Sequence, residues 1–217
     1  MAAGNSPSIT GFDPRSVPGM ALWLDAADSS TYTPSGGNVS GWRDKVQSIT
    51  TTPVTGSGAS LSNINGLPAL YFNAGTNILQ ASYAQATTNR TFFAVILPTV
   101  HSGSYIWPGD TTSSGYSNGF QFAPGSSNNI SFADQNKRNI WTSGTNTVTT
   151  GSTFIIAITY AGDASTSIYM NGLGPGTTAG SSGTSITSNT KMWIGGINGY
   201  ASSFLLGEII DLSLIHI

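Results

Sequence analysis

Hydrolysis of a glycoside by a carboxylate pair needs two acidic groups about 5 Å apart, one acting as nucleophile and one as acid/base. The chain has one glutamate, Glu208, near its end, and no two of its aspartates stand two residues apart. That leaves only an unusual pair of distant aspartates for such chemistry. A nucleophilic triad is no better served: His101 lies in a polar loop after Pro98, and no Gly-x-Ser-x-Gly elbow precedes a helix. Cysteine is absent, and a zinc centre would need more ligands than one loop histidine supplies. The chain therefore reads as a non-enzyme.

Calcium asks only for oxygen ligands. Asp110 in Pro108-Gly109-Asp110-Thr111, Asp134 in Ala133-Asp134-Gln135-Asn136 and Asp163 in Gly162-Asp163 are the candidate ligands. Each can equally cap its own turn through side-chain to backbone hydrogen bonds. Asp25 and Asp28 close a strand pattern and Asp44 follows Trp42, so these three are expected to fix turns. Sugar recognition has a different signature, an aromatic ring for the apolar face of a pyranose and a few fixed polar groups for its hydroxyls. Trp107, Tyr116, Trp141 and Tyr200 flank Gly/Ser/Asn-rich loops and are the platform candidates, with core or rim packing as their alternative role. Trp23, Tyr71 and Trp193 lie inside strand patterns and are assigned to the core.

These residues need a scaffold of strands. Pro18-Gly19 opens an apolar run over Met20 to Leu24 that Asp25 to Ser30 close, and Asn65-Gly66 launches Ala69 to Phe72. Thr91 to Leu97 is almost continuously apolar, which predicts a central strand covered on both faces. Short strands are expected over 105–107, 119–122, 130–133 and 139–141, and a second central strand over Thr153 to Tyr160. Thr166 to Met170 alternates before Asn171-Gly172, a type I′ hairpin signal because both turn residues need positive φ. Thr31 to Ser40 and Ile49 to Ser60 read as Ser/Thr/Gly loops, and no segment carries a helical apolar stripe.

A chain of 217 residues suffices for one sizeable core, so a single domain is expected. Only 7% of residues are charged while glycine reaches 27, a composition that suits short strands and many polar turns. The net charge of -2, with no basic cluster beyond Lys137-Arg138, argues against nucleic acid as a partner. The first residues do not form a secretory signal peptide, and no apolar stretch is long enough for membrane insertion. Residues 1–18 read as an extended, proline-punctuated arm and 19–211 as the sandwich. Residues 212–217 look like the translation of a transposase adapter used in DNA library preparation, read through at the end of a metagenomic fragment. Natural sequence is thus expected to stop near Asp211, and His216 to carry no functional weight. The alternation of Leu212 and Leu214 still lets this tail complete a strand by pattern.

The order of Leu22-Trp23-Leu24-Asp25, Trp42-Arg43-Asp44-Lys45, Leu67-Pro68-Ala69-Leu70-Tyr71-Phe72, Thr91-Phe92-Phe93-Ala94, Ile168-Tyr169-Met170-Asn171-Gly172, Met192-Trp193-Ile194-Gly195 and Gly207-Glu208-Ile209-Ile210 resembles the concanavalin A-like lectin/glucanase superfamily. It is most similar to the laminin-G-like domains of phage, viral and bacterial surface proteins, and the similarity covers most of the chain. The resemblance implies an all-β, antiparallel jelly-roll β-sandwich, a calcium ion in many members, and no single function. The laminarinase-like enzymes of that superfamily carry a Glu-x-Asp-x-x-Glu or Glu-x-Asp-x-Glu strand, which this chain lacks. The Tyr-Asn-Arg-like stretch that usually follows the Gly-Glu-Ile-Ile segment is missing too. The expectation is a non-catalytic, lectin-like carbohydrate-binding or adhesion module of a virion tail or fibre, or of a bacterial surface protein. Its partners would be a carbohydrate or glycoconjugate and other virion or surface proteins, at a virion or extracellular surface. A structural or assembly domain that contacts protein only is the alternative, and a glycoside hydrolase the third reading.

Overall fold

Apolar residues at every second position, punctuated by Gly, Pro, Asn and Asp, are buried by strands and not by helices. The computed structural model describes residues 13–73, 77–85, 89–99, 106–107, 121–124, 130–133, 140–142, 148–161, 166–176, 189–196 and 207–216. The first half of the chain forms β1 (Met20–Asp25), β2 (Tyr32–Ser35), β3 (Asn38–Trp42), β4 (Thr52–Thr55), β5 (Ala59–Ile64), β6 (Leu67–Phe72), β7 (Ile78–Gln85), β8 (Arg90–Pro98) and β9 (Ile106–Trp107). The second forms β10 (Gln121–Pro124), β11 (Ile130–Ala133), β12 (Ile140–Thr142), β13 (Phe154–Tyr160), β14 (Thr166–Met170), β15 (Leu173–Gly176), β16 (Asn189–Ile194) and β17 (Gly207–His216). The helical pieces among the described residues are two single 3-10 turns, Pro14–Ser16 and Ser29–Thr31.

The strands pair antiparallel in two sheets. The larger runs β15-β14-β13-β8-β17-β6-β5-β3-β2, with β1 added beside β17; the smaller runs β12-β11-β10-β9-β16-β7-β4. Their inner rows meet in one core, making an antiparallel jelly-roll β-sandwich. From the larger sheet come Phe92, Ala94 and Ile96 of β8 and Phe154, Ile156 and Ile158 of β13; from the smaller come Leu79, Ala81 and Tyr83 of β7 and Met192 and Ile194 of β16. Each large aliphatic or aromatic side chain buried in this way contributes about 1.5–3 kcal/mol.

Several expectations change on contact with the fold. The continuous apolar run of β8 is fully covered on one face and partly on the other: outward, Thr91 is buried, Val95 and Leu97 are half-buried and Phe93 is 39% exposed, and Ile155 on the neighbouring β13 is 57% exposed. A strand turns alternate residues to opposite faces whatever their polarity, so the run supplies one core row and one outward apolar row. Trp23 and Tyr71 are half-buried on the outer side of the larger sheet, because they stand one residue out of phase with the buried Leu22, Leu24, Leu70 and Phe72. The segments that read as loops contain β2, most of β3, β4 and the start of β5. Their tight positions hold small residues instead of large apolar ones. At Gly41, a Cβ would stand 2.8 Å from Thr33 Oγ1 and 3.1 Å from Thr50 Cγ2, so no bulky side chain announces the strand.

The Asn-Gly pairs behave as their chemistry requires. Asn65-Gly66 (φ 51° and 87°) joins β5 to β6, and Asn171-Gly172 (φ 50° and 75°) joins β14 to β15. At the end of the chain, β17 lies between β8 on one side and β6 followed by β1 on the other. Leu212 pairs with Leu24 and Ala94, and Leu214 with Leu22 and Phe92, so residues 212–216 continue this strand beside buried positions.

Candidate functional site

Two polar regions can be built from the residues upward, and the first sits where β1 leaves the larger sheet. Asp25 accepts the Ala27 N–H at 2.9 Å, and Asp28 caps the Ser29–Thr31 turn by accepting the Ser30 N–H at 3.1 Å and its hydroxyl at 2.6 Å. Lys45 Nζ bridges the two carboxylates, 2.9 Å from Asp25 and 3.0 Å from Asp28, and lies 4.0 Å from the centroid of the Trp23 ring. The indole N–H of Trp23 donates to Asp211 at 3.1 Å. Asp44, 1% exposed, accepts the backbone N–H groups of Trp23 at 2.6 Å, Val46 at 3.2 Å and Gln47. The Ser30 hydroxyl, and then Lys45, hold the Asp28 carboxyl down at about 2. Burial works against the Lys45 charge, but the hydrogen bonds it donates to Asp25 and Asp28, with the attraction of their charges, outweigh it and raise the ammonium above its ordinary pKa.

All three aspartates thus fix turns, as their positions in the sequence suggest. An ammonium stands between Asp25 and Asp28, where a cation ligated by both would have to sit. Among the described residues no three His, Cys, Asp or Glu side chains converge on a metal-sized space. The neighbouring cleft of about 230 Å³ is polar, but Arg15 at its edge is paired with Asp13 at 2.7 Å and Lys45 is held as described. This rim is a clasp built from its own charges.

The second region is the outer face of the smaller sheet. Register places Thr52, Gln80, Trp193 and Trp107 side by side on β4, β7, β16 and β9. This row is out of phase with the core row of Leu79 and Ile194, so it belongs to the opposite face. Trp193 is 2% exposed, and its indole N–H donates to Gln80 Oε1 at 2.9 Å. That bond occupies the acceptor of the Gln80 amide and leaves its two N–H donors for another partner. Two residues further along the same face, Lys191 stands opposite Ser82; Ser82 is exposed and Lys191 half-buried. On this face the described side chains offer amide, hydroxyl and ammonium donors around an indole that is itself buried, groups able to hydrogen-bond the hydroxyls of a polar ligand.

Of the residues singled out from the sequence, the structure places Trp107 in this row. Trp141 pairs with Phe132 on β11, and the register continues through Phe122 and Ile106 to Ile194, the row that faces the core at Ile194 and Leu79. Trp193 is buried as assigned, though on the outer side of its sheet. Tyr116, Tyr200, Asp110, Asp134 and Asp163 lie outside the described residues. Gln80, Ser82 and Lys191 escaped the sequence reading. Their signal is the polar phase of β7 and β16, which gains meaning only once those strands are paired with β9.

No protein-family model matches the chain, and no curated protein matches it in sequence. Solved structures do match in shape. Domain 4 of AbnA, a GH43 extracellular arabinanase from Geobacillus stearothermophilus, in complex with arabinotriose, is 13% identical with a TM-score of 0.58, covering 91% of this chain and 92% of its own. The botulinum neurotoxin serotype D binding domain is 12% identical with a TM-score of 0.59, covering 91% of this chain and 48% of its own. Trypanosoma rangeli sialidase in complex with sialic acid is 13% identical with a TM-score of 0.54; the match covers 91% of this chain and 30% of the sialidase, so this chain spans under a third of that protein. At such identities the likeness is one of fold, the concanavalin A-like β-sandwich.

Proposed function

We propose that this domain is a non-catalytic, lectin-like carbohydrate-binding or adhesion module of the laminin-G-like kind, carried on a virion tail or fibre or on a bacterial surface. The observation that carries the reading is the outward row Thr52, Gln80, Trp193 and Trp107, with Ser82 and Lys191 beside it. Pyranoses bind where an aromatic ring meets their apolar face and fixed donors meet their hydroxyls; with Trp193 buried, the register leaves Trp107 as the ring of this row and Gln80, Ser82 and Lys191 as its donors. Trp107 is the platform and Gln80 the fixed donor. Support for the ligand class comes from a similar arabinanase domain in complex with arabinotriose, and from a sialidase in complex with sialic acid of which this chain covers 30%. Support for binding without hydrolysis comes from the single glutamate and the scattered aspartates. Calcium, if used, would be held at Asp110, Asp134 or Asp163.

A glycan array probed with the purified domain, once with calcium and once with chelator, tests the reading. Selective binding is expected; loss of it with chelator assigns calcium to the loops, and a blank array in both conditions overturns the sugar reading. One observation favours the alternative of an assembly domain contacting protein: the outward apolar residues Phe93 and Ile155 on the larger sheet. That alternative predicts a regular oligomer in sedimentation, dispersed by Ile155→Lys, with no sugar bound.

A further inference from the structure

Register sets five residues side by side across neighbouring strands of the larger sheet: Tyr169 on β14, Ala157 on β13, Phe93 on β8, Ser213 on β17 and Trp23 on β1. Tyr169, Ala157, Phe93 and Trp23 are each out of phase with buried neighbours on their strands, so the row belongs to the outer face. Rings and small residues alternate along it. Neighbouring strands lie about 4.8 Å apart, which puts the positions of successive rings about 9.6 Å apart on one line. Phe93, at the centre, is 39% exposed, and Tyr169 is half-buried. Trp23 closes the line, its ring capped by Lys45 Nζ at 4.0 Å. Two residues along β13 and β14, Thr159 and Ser167 stand opposite each other on the same face, both half-buried. Hydroxyl groups thus flank the ring line on the side away from Ile155 and Val95.

A protein partner gains nothing from regular ring spacing; it needs a broad patch of about 800 Å² on each side. A linear chain of flat units does gain. An extended β-1,4-linked polysaccharide is a ribbon whose sugar residues present apolar faces at a regular interval, and its hydroxyls run along both edges. We infer that the line is a second carbohydrate surface, which takes such a ribbon across the strands with Phe93 and Tyr169 as platforms and Thr159 and Ser167 as hydroxyl partners. The inference rests on the sugar-binding reading above for its type of ligand, but it uses none of the residues of the first face. Phe93 and Trp107 belong to opposite sheets of the sandwich, so a domain with both faces occupied bridges two glycan chains.

The test is affinity electrophoresis of the intact chain through gels that contain hydroxyethylcellulose, β-1,4-xylan or, as the α-linked control, glycogen. Retardation by a β-1,4-linked polymer and not by glycogen is expected. Phe93→Ala and Tyr169→Ala should each weaken it roughly tenfold, while Phe93→Trp, which keeps a ring, should retain it and so show that the loss belongs to the ring and not to the fold. Retardation that survives both alanine variants overturns this second surface and leaves the sugar reading in place, as does a chain that ignores all three polymers yet binds a glycan array. Failure on the polymers and on the array overturns both. A dimer in sedimentation that Phe93→Ala disperses gives the face to a second copy of the chain and overturns the inference as well.

Discussion

Around Lys45, each charged group has found its partner within the chain: Asp25 and Asp28 share one ammonium, and Asp44 takes up three backbone N–H groups. On the outer face of the smaller sheet, Trp193 uses one half of the Gln80 amide, and Lys191 has no carboxylate among the described residues. Both regions are polar and both are set by strand register. Their difference teaches that internally satisfied polar groups tie strands together, whereas groups whose donors remain open are the ones with something to offer a ligand.

The largest expected effect lies on the satisfied side. Asp44→Ala removes the buried acceptor of three N–H groups, and urea unfolding should show a loss of about 2–4 kcal/mol. A loss below about 1 kcal/mol would mean that the rim is not the clasp described, since leaving even one buried donor unpaired costs that much. Next comes the open side. Trp107→Ala should weaken sugar binding roughly tenfold with an unchanged urea midpoint, as expected when a stacking ring is removed; a collapsed midpoint would assign Trp107 to packing instead.

Acid titration separates the regions on a smaller scale. The Asp28 carboxyl titrates at about 2 in the fold against an ordinary 3.8, so between those values the unfolded chain takes up a proton that the folded chain refuses. The contribution of Asp28 is full above about pH 4 and is lost as pH falls through about 2. Solvent screening of this partly exposed pair keeps it near 1 kcal/mol, and Asp28→Asn should flatten that part of the stability profile measured between pH 5 and pH 2. Smallest of all, Ile155→Thr on the outward row of β13 should change stability by under about 0.5 kcal/mol.

The fold was legible where apolar residues mark the strands. Thr91 to Leu97 and Thr153 to Tyr160 became β8 and β13, and both Asn-Gly turns fell where positive φ is needed. Legibility failed where packing is tight: β3 runs through Gly41, whose missing side chain is what lets Thr33 approach. The phase of Trp23 was hidden for another reason. An apolar residue between two apolar residues carries no mark of the face it takes. The candidate site was legible in part. Trp107 stood out as an aromatic beside a loop, while Gln80, Ser82 and Lys191 looked like any solvated strand face. What joins them is pairing between strands far apart in the chain, and periodicity within one strand does not carry that information.

The position of β17 has a consequence for synthesis. It lies beside both β8 and β1, and the Trp23 indole bonds to Asp211 across 188 positions of sequence. A growing chain therefore holds the two halves of its larger sheet without the strand that joins them until residues 207–216 have emerged. Closure is a late, all-or-none event of high contact order, slow by the standards of helical domains. Until then the edges of β8 and β1 stay open, and this is the interval in which such a chain is most exposed to pairing with its neighbours.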